Sequence, residues 1–371
     1  MVFVVWIPSL LSEKPSLPRS MRFILLFTGL FLPGYAFSLG LIKSFVQNIP
    51  MGEILYLNSF FFFLLLPVMV LERIHLTKIF NLASLTIILI TGISYLILLY
   101  NPNTFGSLYT YLVTDKNVAM YALRNYGGFT LLMLFYKTSP LLVFPLSFYL
   151  YTLLIEKKRH HLFLNISILV SIIVTLFISG TRANILSLIL IIFFYLLFYI
   201  YKKSKPFFFL TGFAFILLFV FVASFLNDTL LNKTEVSNMV KFGHFISYIQ
   251  HFSTNWGVYI WGQGLGSNFY SSGVNSMVNI TELTYLELIR VWGFPLTLVF
   301  MAILFFPLFV ELKSGRISHL FIAYLAFLFI AGTNPLLLSS TGMIVLVYVF
   351  SEMYSSQSFV NKINAIYDKL A

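Results

Sequence analysis

The chain contains no cysteine among its 371 residues. Disulfide bonds, thiolate catalysis and cysteine-based metal sites are therefore excluded. Six histidines are present, but none of them shows metal-ligand spacing. The adjacent pair His160-His161 lies in a basic loop, where a solvated role is favoured over ligation of a metal.

Charged residues are also scarce. They make up 9% of the chain, whereas a soluble domain carries about 25%. A soluble protein of this length could not cover its surface with so few charges, so most of this surface must face lipid. The 43 phenylalanines suit acyl chains and the 22 tyrosines suit the headgroup level. The sequence therefore predicts an all-α, polytopic bundle of transmembrane helices.

The few charges are unbalanced, with 23 Lys and Arg against 12 Asp and Glu, a net charge of +11. In a soluble protein this excess would suggest nucleic acid as a partner. Here the basic residues cluster between apolar spans, and no stripe of Lys and Arg with interleaved aromatic residues occurs. The pattern indicates membrane topology, and nucleic acid is not a predicted partner.

A helix needs about 20 apolar residues to cross the hydrocarbon core. About ten crossings are predicted, at 21–42, 54–71, 79–100, 139–155, 162–179, 183–201, 206–226, 283–309, 318–333 and 340–354. With both termini in the cytoplasm, short basic clusters such as Lys157-Lys158-Arg159 all fall inside, as the positive-inside rule requires. Residues 1–20 are predicted to form a cytoplasmic or interfacial tail, and 21–371 a single transmembrane domain.

Two predicted extracytoplasmic loops are long, at 101–138 and at 227–281 between the seventh and eighth spans. Loops of this length are uncommon without a function. Function is therefore expected on the outer face. Within the first loop, 118–138 is fairly apolar but contains Arg124 and the Gly127-Gly128 pair, and we interpret it as an interfacial or re-entrant stretch.

Two isolated arginines are candidates for binding an anion. Arg182 lies in Ser179-Gly180-Thr181-Arg182, a tight turn between two apolar spans, and Arg124 precedes Asn125-Tyr126-Gly127-Gly128. A guanidinium binds phosphate with a bidentate fork, and glycine lets other groups approach closely. The alternatives are that Arg182 snorkels to the headgroups and that Arg124 is a surface residue.

The predicted eighth span contains both Glu287 and Arg290, which can pair at i,i+3 on one helix face. Ionisable groups inside a membrane are functional candidates, and the alternative is a self-neutralised structural pair. Glu282 lies further outward, where the long loop re-enters the membrane, with no evident local partner. That position makes Glu282 the better candidate for a general base.

The second long loop contains His244, in a stretch with helical apolar spacing. It is a core or surface residue, or a group that moves protons near neutral pH. Further on, Gly262-Gln263-Gly264-Leu265-Gly266 resembles a phosphate loop, but no strand precedes it and no Lys-Ser/Thr pair follows it. A flexible turn beside a polar ligand is the better interpretation.

Several of these segments, taken in order, resemble the Wzy-type O-antigen polymerases of the O-antigen ligase/polymerase superfamily. They are Leu123-Arg124-Asn125-Tyr126-Gly127-Gly128-Phe129, Ser179-Gly180-Thr181-Arg182, Gly243-His244, Trp261-Gly262-Gln263-Gly264-Leu265-Gly266-Ser267, Thr281-Glu282-Leu283-Thr284-Tyr285-Leu286-Glu287 and Thr333-Asn334-Pro335. The resemblance extends over most of the chain from about residue 21. Thr181 stands where many relatives have Ser, which keeps the hydroxyl.

The resemblance implies a membrane glycosyltransferase of the GT-C type on the outer face of the bacterial inner membrane. Both substrates would be glycans linked to undecaprenyl pyrophosphate, with no nucleotide sugar, cofactor or metal, and a chain-length regulator is the usual partner. It implies that Arg124 and Arg182 bind pyrophosphate, that Arg290 orients Glu287 or contacts a second pyrophosphate, and that Glu282 or His244 is the base.

Two other functions remain open from the sequence. An O-antigen ligase, which transfers the finished glycan to lipid A-core, shares the superfamily architecture. A polysaccharide flippase is a different class, but transporters usually have internal repeats and a site at the bilayer midplane. No repeat is evident here, and the candidate charges cluster at the outer boundary.

Overall fold

The fold is described from a computed structural model. The structure describes residues 18–47, 60, 62–72, 74–100, 102–126, 129–156, 161–204, 207, 236–314, 318–332, 334–337 and 339–355. The predicted tail 1–20 lies almost wholly outside these residues, as do the predicted span 206–226 and the beginning of the loop at 227–281.

Most of the described residues are helical. The helices are α1 (Arg19–Leu26), α2 (Leu32–Gln47), α3 (Leu66–Leu71), α4 (Leu76–Tyr100), α5 (Pro102–Tyr109), α6 (Val143–Leu154), α7 (Leu162–Ile178), α8 (Arg182–Lys203), α9 (Val236–Thr254), α10 (Trp256–Trp261), α11 (Thr284–Trp292), α12 (Phe294–Ser314), α13 (His319–Gly332) and α14 (Ser340–Ser355). π-Helical turns at Phe27–Phe31 and Thr110–Asp115 join α1 to α2 and follow α5. Two antiparallel hairpins, β1 (Ala119–Tyr126) with β2 (Phe129–Tyr136) and β3 (Phe269–Ser271) with β4 (Ser276–Val278), interrupt the helices.

Four of these helical segments are long and apolar enough to cross a membrane: Arg19–Lys43, Leu76–Tyr100, Arg182–Ile200 and Phe294–Lys313. Shorter apolar helices occur at Phe62–Leu71, Ser139–Leu154, Leu162–Ile178 and His319–Gly332. The chain is thus a helical protein with the long apolar segments of a multi-pass membrane protein. Within the described residues, four helices reach this length, not the predicted ten or so, and the other apolar helices have 10–17 residues.

The predicted span 283–309 is not continuous. It divides at Gly293, which has φ +81° and separates the polar helix α11 from the apolar helix α12. The Glu287–Arg290 pair therefore lies in a short helix that precedes the long apolar segment, not within that segment as the sequence predicted. The break lets the polar residues fold against the preceding loop while α12 remains free of charge over most of its length.

The stretch 118–138 forms the β1–β2 hairpin, with Ala119 opposite Tyr136 and Tyr126 opposite Phe129. Strand-favouring aromatic residues are mixed here with leucine, methionine and alanine, which favour helices, so propensity alone did not predict the pairing. The inward face of the hairpin is apolar and packs against α4 and α7 through Leu134 and Tyr136. The Tyr136 hydroxyl lies 2.8 Å from the Ser94 hydroxyl of α4, which satisfies both buried groups.

The chain forms two compact units, each assembled from segments far apart in the sequence. The first comprises 1–77, 240–310 and 331–371, and the second comprises 78–239 and 311–330. In the second unit, the rings of Phe80, Phe144 and Phe327 pack together, and the Ser147 hydroxyl donates to the backbone carbonyl of His319 at 2.7 Å. The predicted single domain 21–371 stays a prediction.

In the first unit, the C-terminal half of the first long helical segment, Arg19–Lys43, contacts the polar segment that follows α9. The Tyr35 hydroxyl donates to the carbonyl of Trp261 at 2.6 Å, and the Leu265 N–H donates to the carbonyl of Ala36 at 3.3 Å. Trp292, at the end of α11, packs edge-on against Phe60 and Phe300. These contacts hold the polar segment between apolar helices.

We predict that Gly293→Ala destabilises the protein by about 1–3 kcal/mol or more, because this backbone conformation is accessible essentially only to glycine. A Cβ at Gly293 would also lie 2.1 Å from the carbonyl oxygen of Ile260. Thermal unfolding of the detergent-solubilised protein measures the effect. Gly257→Ala, in α10 with open space around it, is the matched control and should not lower the melting temperature. Equal melting temperatures for the two variants would contradict the proposed role of the break.

Candidate functional site

The polar residues of the first unit gather in one continuous segment, from the middle of α9 to the end of α11. This segment contains α10, a glycine-containing turn and the β3–β4 hairpin. Four polar side chains of α9 recur along one side of the helix: Lys241, His244, Tyr248 and His251. Their spacing of three, four and three residues places them on the helix face that contacts the hairpin and α11.

A buried ion pair lies at the centre of the segment. Arg290 is fully buried, and its Nη2 lies 2.5 Å from Glu287 Oε1 while its Nε lies 3.0 Å from Glu287 Oε2. Nη1 donates to the carbonyl and hydroxyl of Ser267 at 2.7 and 2.9 Å, and Nη2 donates to the carbonyl of Asn279 at 2.6 Å. These contacts use all five N–H donors of the guanidinium.

The carboxylate of this pair is held from the other side by α9. The Tyr248 hydroxyl donates a short hydrogen bond to Glu287 and lies 2.8 Å from the Thr281 hydroxyl. The ring of Phe269 stacks against Tyr248, with 4.8 Å between the centroids, and lies 5.2 Å from the Arg290 guanidinium carbon. Three elements, α9, β3 and α11, are therefore joined by one buried network.

The charges of this network are stable for a physical reason. Burial disfavours the charged guanidinium, but Glu287 more than compensates and the pKa of Arg290 is raised. Burial and the negative charge of Glu287 raise the pKa of Tyr248, so its hydroxyl keeps its proton and remains a donor. The arrangement favours the structural interpretation of Arg290, because no donor is left to hold a pyrophosphate.

The glycine-containing turn is fixed by the end of α11. The backbone N–H of Gln263 donates to the carbonyl of Arg290 at 2.7 Å, and that of Gly264 donates to the carbonyl of Val291 at 3.1 Å. The Gln263 side chain contacts His251 Nε2 at 2.7 Å and donates to the carbonyl of Asn268 at 3.1 Å. The turn is thus ordered by backbone pairing and does not resemble a phosphate loop.

His244 lies beside this network and contacts the hairpin. Its Nδ1 is 2.5 Å from the Ser271 hydroxyl, and both residues are buried. Next to this contact, the backbones of Gly243 and Gly273 approach each other closely. A Cβ added to Gly243 would lie only 2.3 Å from the Cα of Gly273. Burial lowers the pKa of His244, while Glu282 and Glu287 oppose that shift. The imidazole is therefore neutral near pH 7.

Glu282 has a partner that the sequence analysis did not foresee. Its Oε2 lies 2.9 Å from Lys241 Nζ of α9, and both side chains are partly exposed. The sequence predicted no local partner, and the partner found is 41 positions earlier in the chain, brought close by the packing of α9. A solvent-exposed pair of this kind contributes only about 0–1 kcal/mol to stability.

Arg124 and Arg182, the two isolated arginines predicted to bind pyrophosphate, belong to the second unit. Arg182 is the first residue of α8, and its Nη1 donates to Asn238 Oδ1 at 2.9 Å. Arg124 lies in β1 opposite Leu131, and its side chain is outside the described residues. The structure thus brings His244, Glu282 and Arg290 together in one unit and places Arg124 and Arg182 in the other.

Sequence reasoning missed Lys241, Tyr248, Ser267, Ser271 and Thr281. Lys241, His244 and Tyr248 share one face of α9, and that spacing was the available signal. The serines and Thr281 belong to turns and short strands, where no periodicity marks them. Their roles depend on which elements pack together.

Comparison with protein-family models, with curated proteins and with solved structures finds no match for this chain. The resemblance described above therefore rests on its motifs alone.

Removing one partner of a buried ion pair leaves the other charge uncompensated, which typically costs about 3–5 kcal/mol. We therefore predict that Glu287→Ala severely lowers stability, seen as a large fall in melting temperature or in the yield of folded, detergent-solubilised protein. Glu282→Ala, which removes a partly exposed carboxylate, is the matched control and should have little effect on stability. If both variants were equally stable, the central role of the buried pair would be refuted.

Proposed function

We propose that this chain is a membrane glycosyltransferase that joins oligosaccharide repeat units carried on undecaprenyl pyrophosphate, an O-antigen or surface-polysaccharide polymerase. The observation that supports it best is the group formed by Lys241, His244 and Glu282, which lies in a polar segment held between long apolar helices. A cation, an imidazole and a carboxylate are there available to substrates that the bilayer delivers.

The chemistry of such a transfer explains why these residue types are needed. A sugar hydroxyl of one lipid-linked glycan attacks the anomeric carbon of another, and the bond from that carbon to pyrophosphate breaks. The hydroxyl proton needs an acceptor, for which Glu282 is the candidate. Negative charge develops on the departing pyrophosphate, and cations stabilise it.

Cations for the leaving group are proposed to be Arg124 and Arg182. Arg182 begins α8, where the helix N-terminus adds partial positive charge. Lys241 is a further cation beside the carboxylate. Arg290 is reassigned, because its five donors are occupied by protein groups: it orients Glu287 and the loop around it, and binding of a second pyrophosphate is no longer part of the proposal.

The location follows from the same proposal. The chain would reside in the bacterial inner membrane with both termini in the cytoplasm and with the loops 101–138 and 227–281 outside. The arrangement of about ten crossings stays a prediction, since it depends in part on 206–226 and on shorter helices such as Leu162–Ile178. A polysaccharide chain-length regulator is the proposed protein partner.

We predict that Arg182→Ala and Arg124→Ala each abolish polymer while the protein still inserts in the membrane. Loss of transition-state charge stabilisation of this kind typically costs 10²–10³-fold or roughly 3–4 kcal/mol. Electrophoresis of the lipopolysaccharide of cells that depend on the variant would show a single repeat unit on the core. Arg22→Ala, at the predicted cytoplasmic end of α1, is the matched control and should keep the long-chain ladder. Long-chain polymer in both Arg182→Ala and Arg124→Ala would refute the pyrophosphate role.

An assay with the purified protein separates polymerase from the alternatives. Incubation with lipid-linked repeat units should give lipid-linked polymer of increasing length. Transfer only to lipid A-core would identify a ligase, and movement of lipid-linked glycan across a vesicle membrane without elongation would identify a flippase.

The absence of cysteine allows a direct test of topology, because any introduced thiol is unique. We predict that Ser276→Cys, in the outer loop, reacts with a membrane-impermeant maleimide in intact spheroplasts. Ser204→Cys, at the end of α8, should react only after the membrane is permeabilised. Both serines are exposed. The opposite labelling pattern would invert the proposed orientation.

A further inference from the structure

The contact between His244 and Ser271 determines which nitrogen of the imidazole carries the proton. His244 Nδ1 lies 2.5 Å from the Ser271 hydroxyl oxygen, and Ser271 is fully buried. The backbone N–H of Gly273 donates to the same oxygen at 3.2 Å. The hydroxyl is therefore placed between one backbone donor and one imidazole nitrogen.

Counting donors and acceptors assigns the direction of the hydrogen bond. A serine hydroxyl has one proton to donate and two lone pairs, of which Gly273 uses one. Across the part of the chain that the structure describes, the only hydrogen-bond acceptor within reach of the Ser271 proton is His244 Nδ1. A buried hydroxyl proton without an acceptor is costly, so Ser271 donates and Nδ1 accepts.

The other ring nitrogen must then bear the proton of the neutral imidazole. His244 Nε2 makes no hydrogen bond to the described residues, and it is not among the buried unpartnered atoms. It is thus available at the edge of the network. Because burial lowers the pKa of His244, the neutral form is the one that matters near pH 7.

We propose that Ser271 is a positioning residue that keeps the His244 proton on Nε2, so that His244 donates a hydrogen bond to an anionic oxygen of the substrate and Glu282 serves as the base. The proposal rests on the proposed function for the identity of that substrate, a pyrophosphate-linked glycan. It assigns different roles to Glu282 and His244, whereas the sequence left open which of the two is the base.

In the transfer step, the hydroxyl oxygen of one sugar bonds to the anomeric carbon of the other glycan. The bond from that carbon to the pyrophosphate oxygen breaks, and its electron pair leaves with pyrophosphate. The hydroxyl proton passes to the Glu282 carboxylate. His244 keeps its proton throughout and stabilises charge by hydrogen bonding alone.

The tautomer is tested by nitrogen NMR of the purified protein, labelled with ¹⁵N-histidine and reconstituted in vesicles. The His244 signals are assigned by their loss in His244→Gln. A proton on Nε2 and none on Nδ1 supports the proposal, and the reverse overturns it. Ser271→Ala should shift the population towards the other tautomer, whereas Ser276→Ala, an exposed serine opposite it in the hairpin, should not. An unchanged tautomer in Ser271→Ala would remove Ser271 from its positioning role.

The role of the proton on His244 Nε2 is tested by measuring polymerisation by two variants in which a side-chain amide replaces the imidazole. The side-chain N–H of Gln reaches the place of Nε2, whereas that of Asn reaches the place of Nδ1. His244→Gln should therefore retain roughly 100-fold more activity than His244→Asn. Equal loss in the two variants would overturn the donor role and restore His244 as a base.

These readouts separate the inference from the proposed function. If the unaltered protein forms no polymer, the proposed function fails, while the NMR result still decides the tautomer. If polymer forms but His244 carries its proton on Nδ1, the proposed function stands and the inference fails.

Discussion

The buried Arg290–Glu287 pair is the interaction on which the polar part of this protein depends. Charges removed from water are stable only when their hydrogen-bonding capacity is satisfied, and here every guanidinium donor has an acceptor. The acceptors belong to the turn at Ser267, the strand end at Asn279 and α11 itself. Folding of the loop and neutralisation of the charge are therefore one event, because neither can be completed without the other.

The surrounding apolar helices explain why such a network is needed. The chain carries few charges, and the segment from α9 to α11 includes very short elements, a six-residue helix and two three-residue strands. The network compensates by joining α9, β3 and α11 through Tyr248 and Phe269. At the edge of the network, the Lys241–Glu282 ion pair is partly exposed. The segment thus combines a buried, fully hydrogen-bonded centre with a partly exposed ion pair beside it.

Much of the fold was predictable, and the reasons are physical. Long apolar runs such as Leu76–Tyr100 predict helices because every backbone group in lipid must be paired within the segment. The Glu287–Arg290 pairing followed from helical spacing. The break at Gly293 and the partner of Glu282 were not predicted, since each depends on the packing of residues distant in sequence. The hairpin at 118–138 was not predicted because β2 is an almost unbroken apolar run, without the alternation that marks a half-buried strand. Ser271 had no sequence signal, because its importance comes only from the position of His244.

The contact between Gly243 and Gly273 has a consequence for the position of His244. Backbone touches backbone there, with no side chain between to absorb a change in shape. A side chain larger than that of glycine at either position would move His244 and Ser271 relative to each other, so the 2.5 Å contact between them depends on two glycines 30 residues apart in the sequence. The two glycines act as a spacer, because they set the separation of α9 and the β3–β4 hairpin by the thickness of the backbone alone.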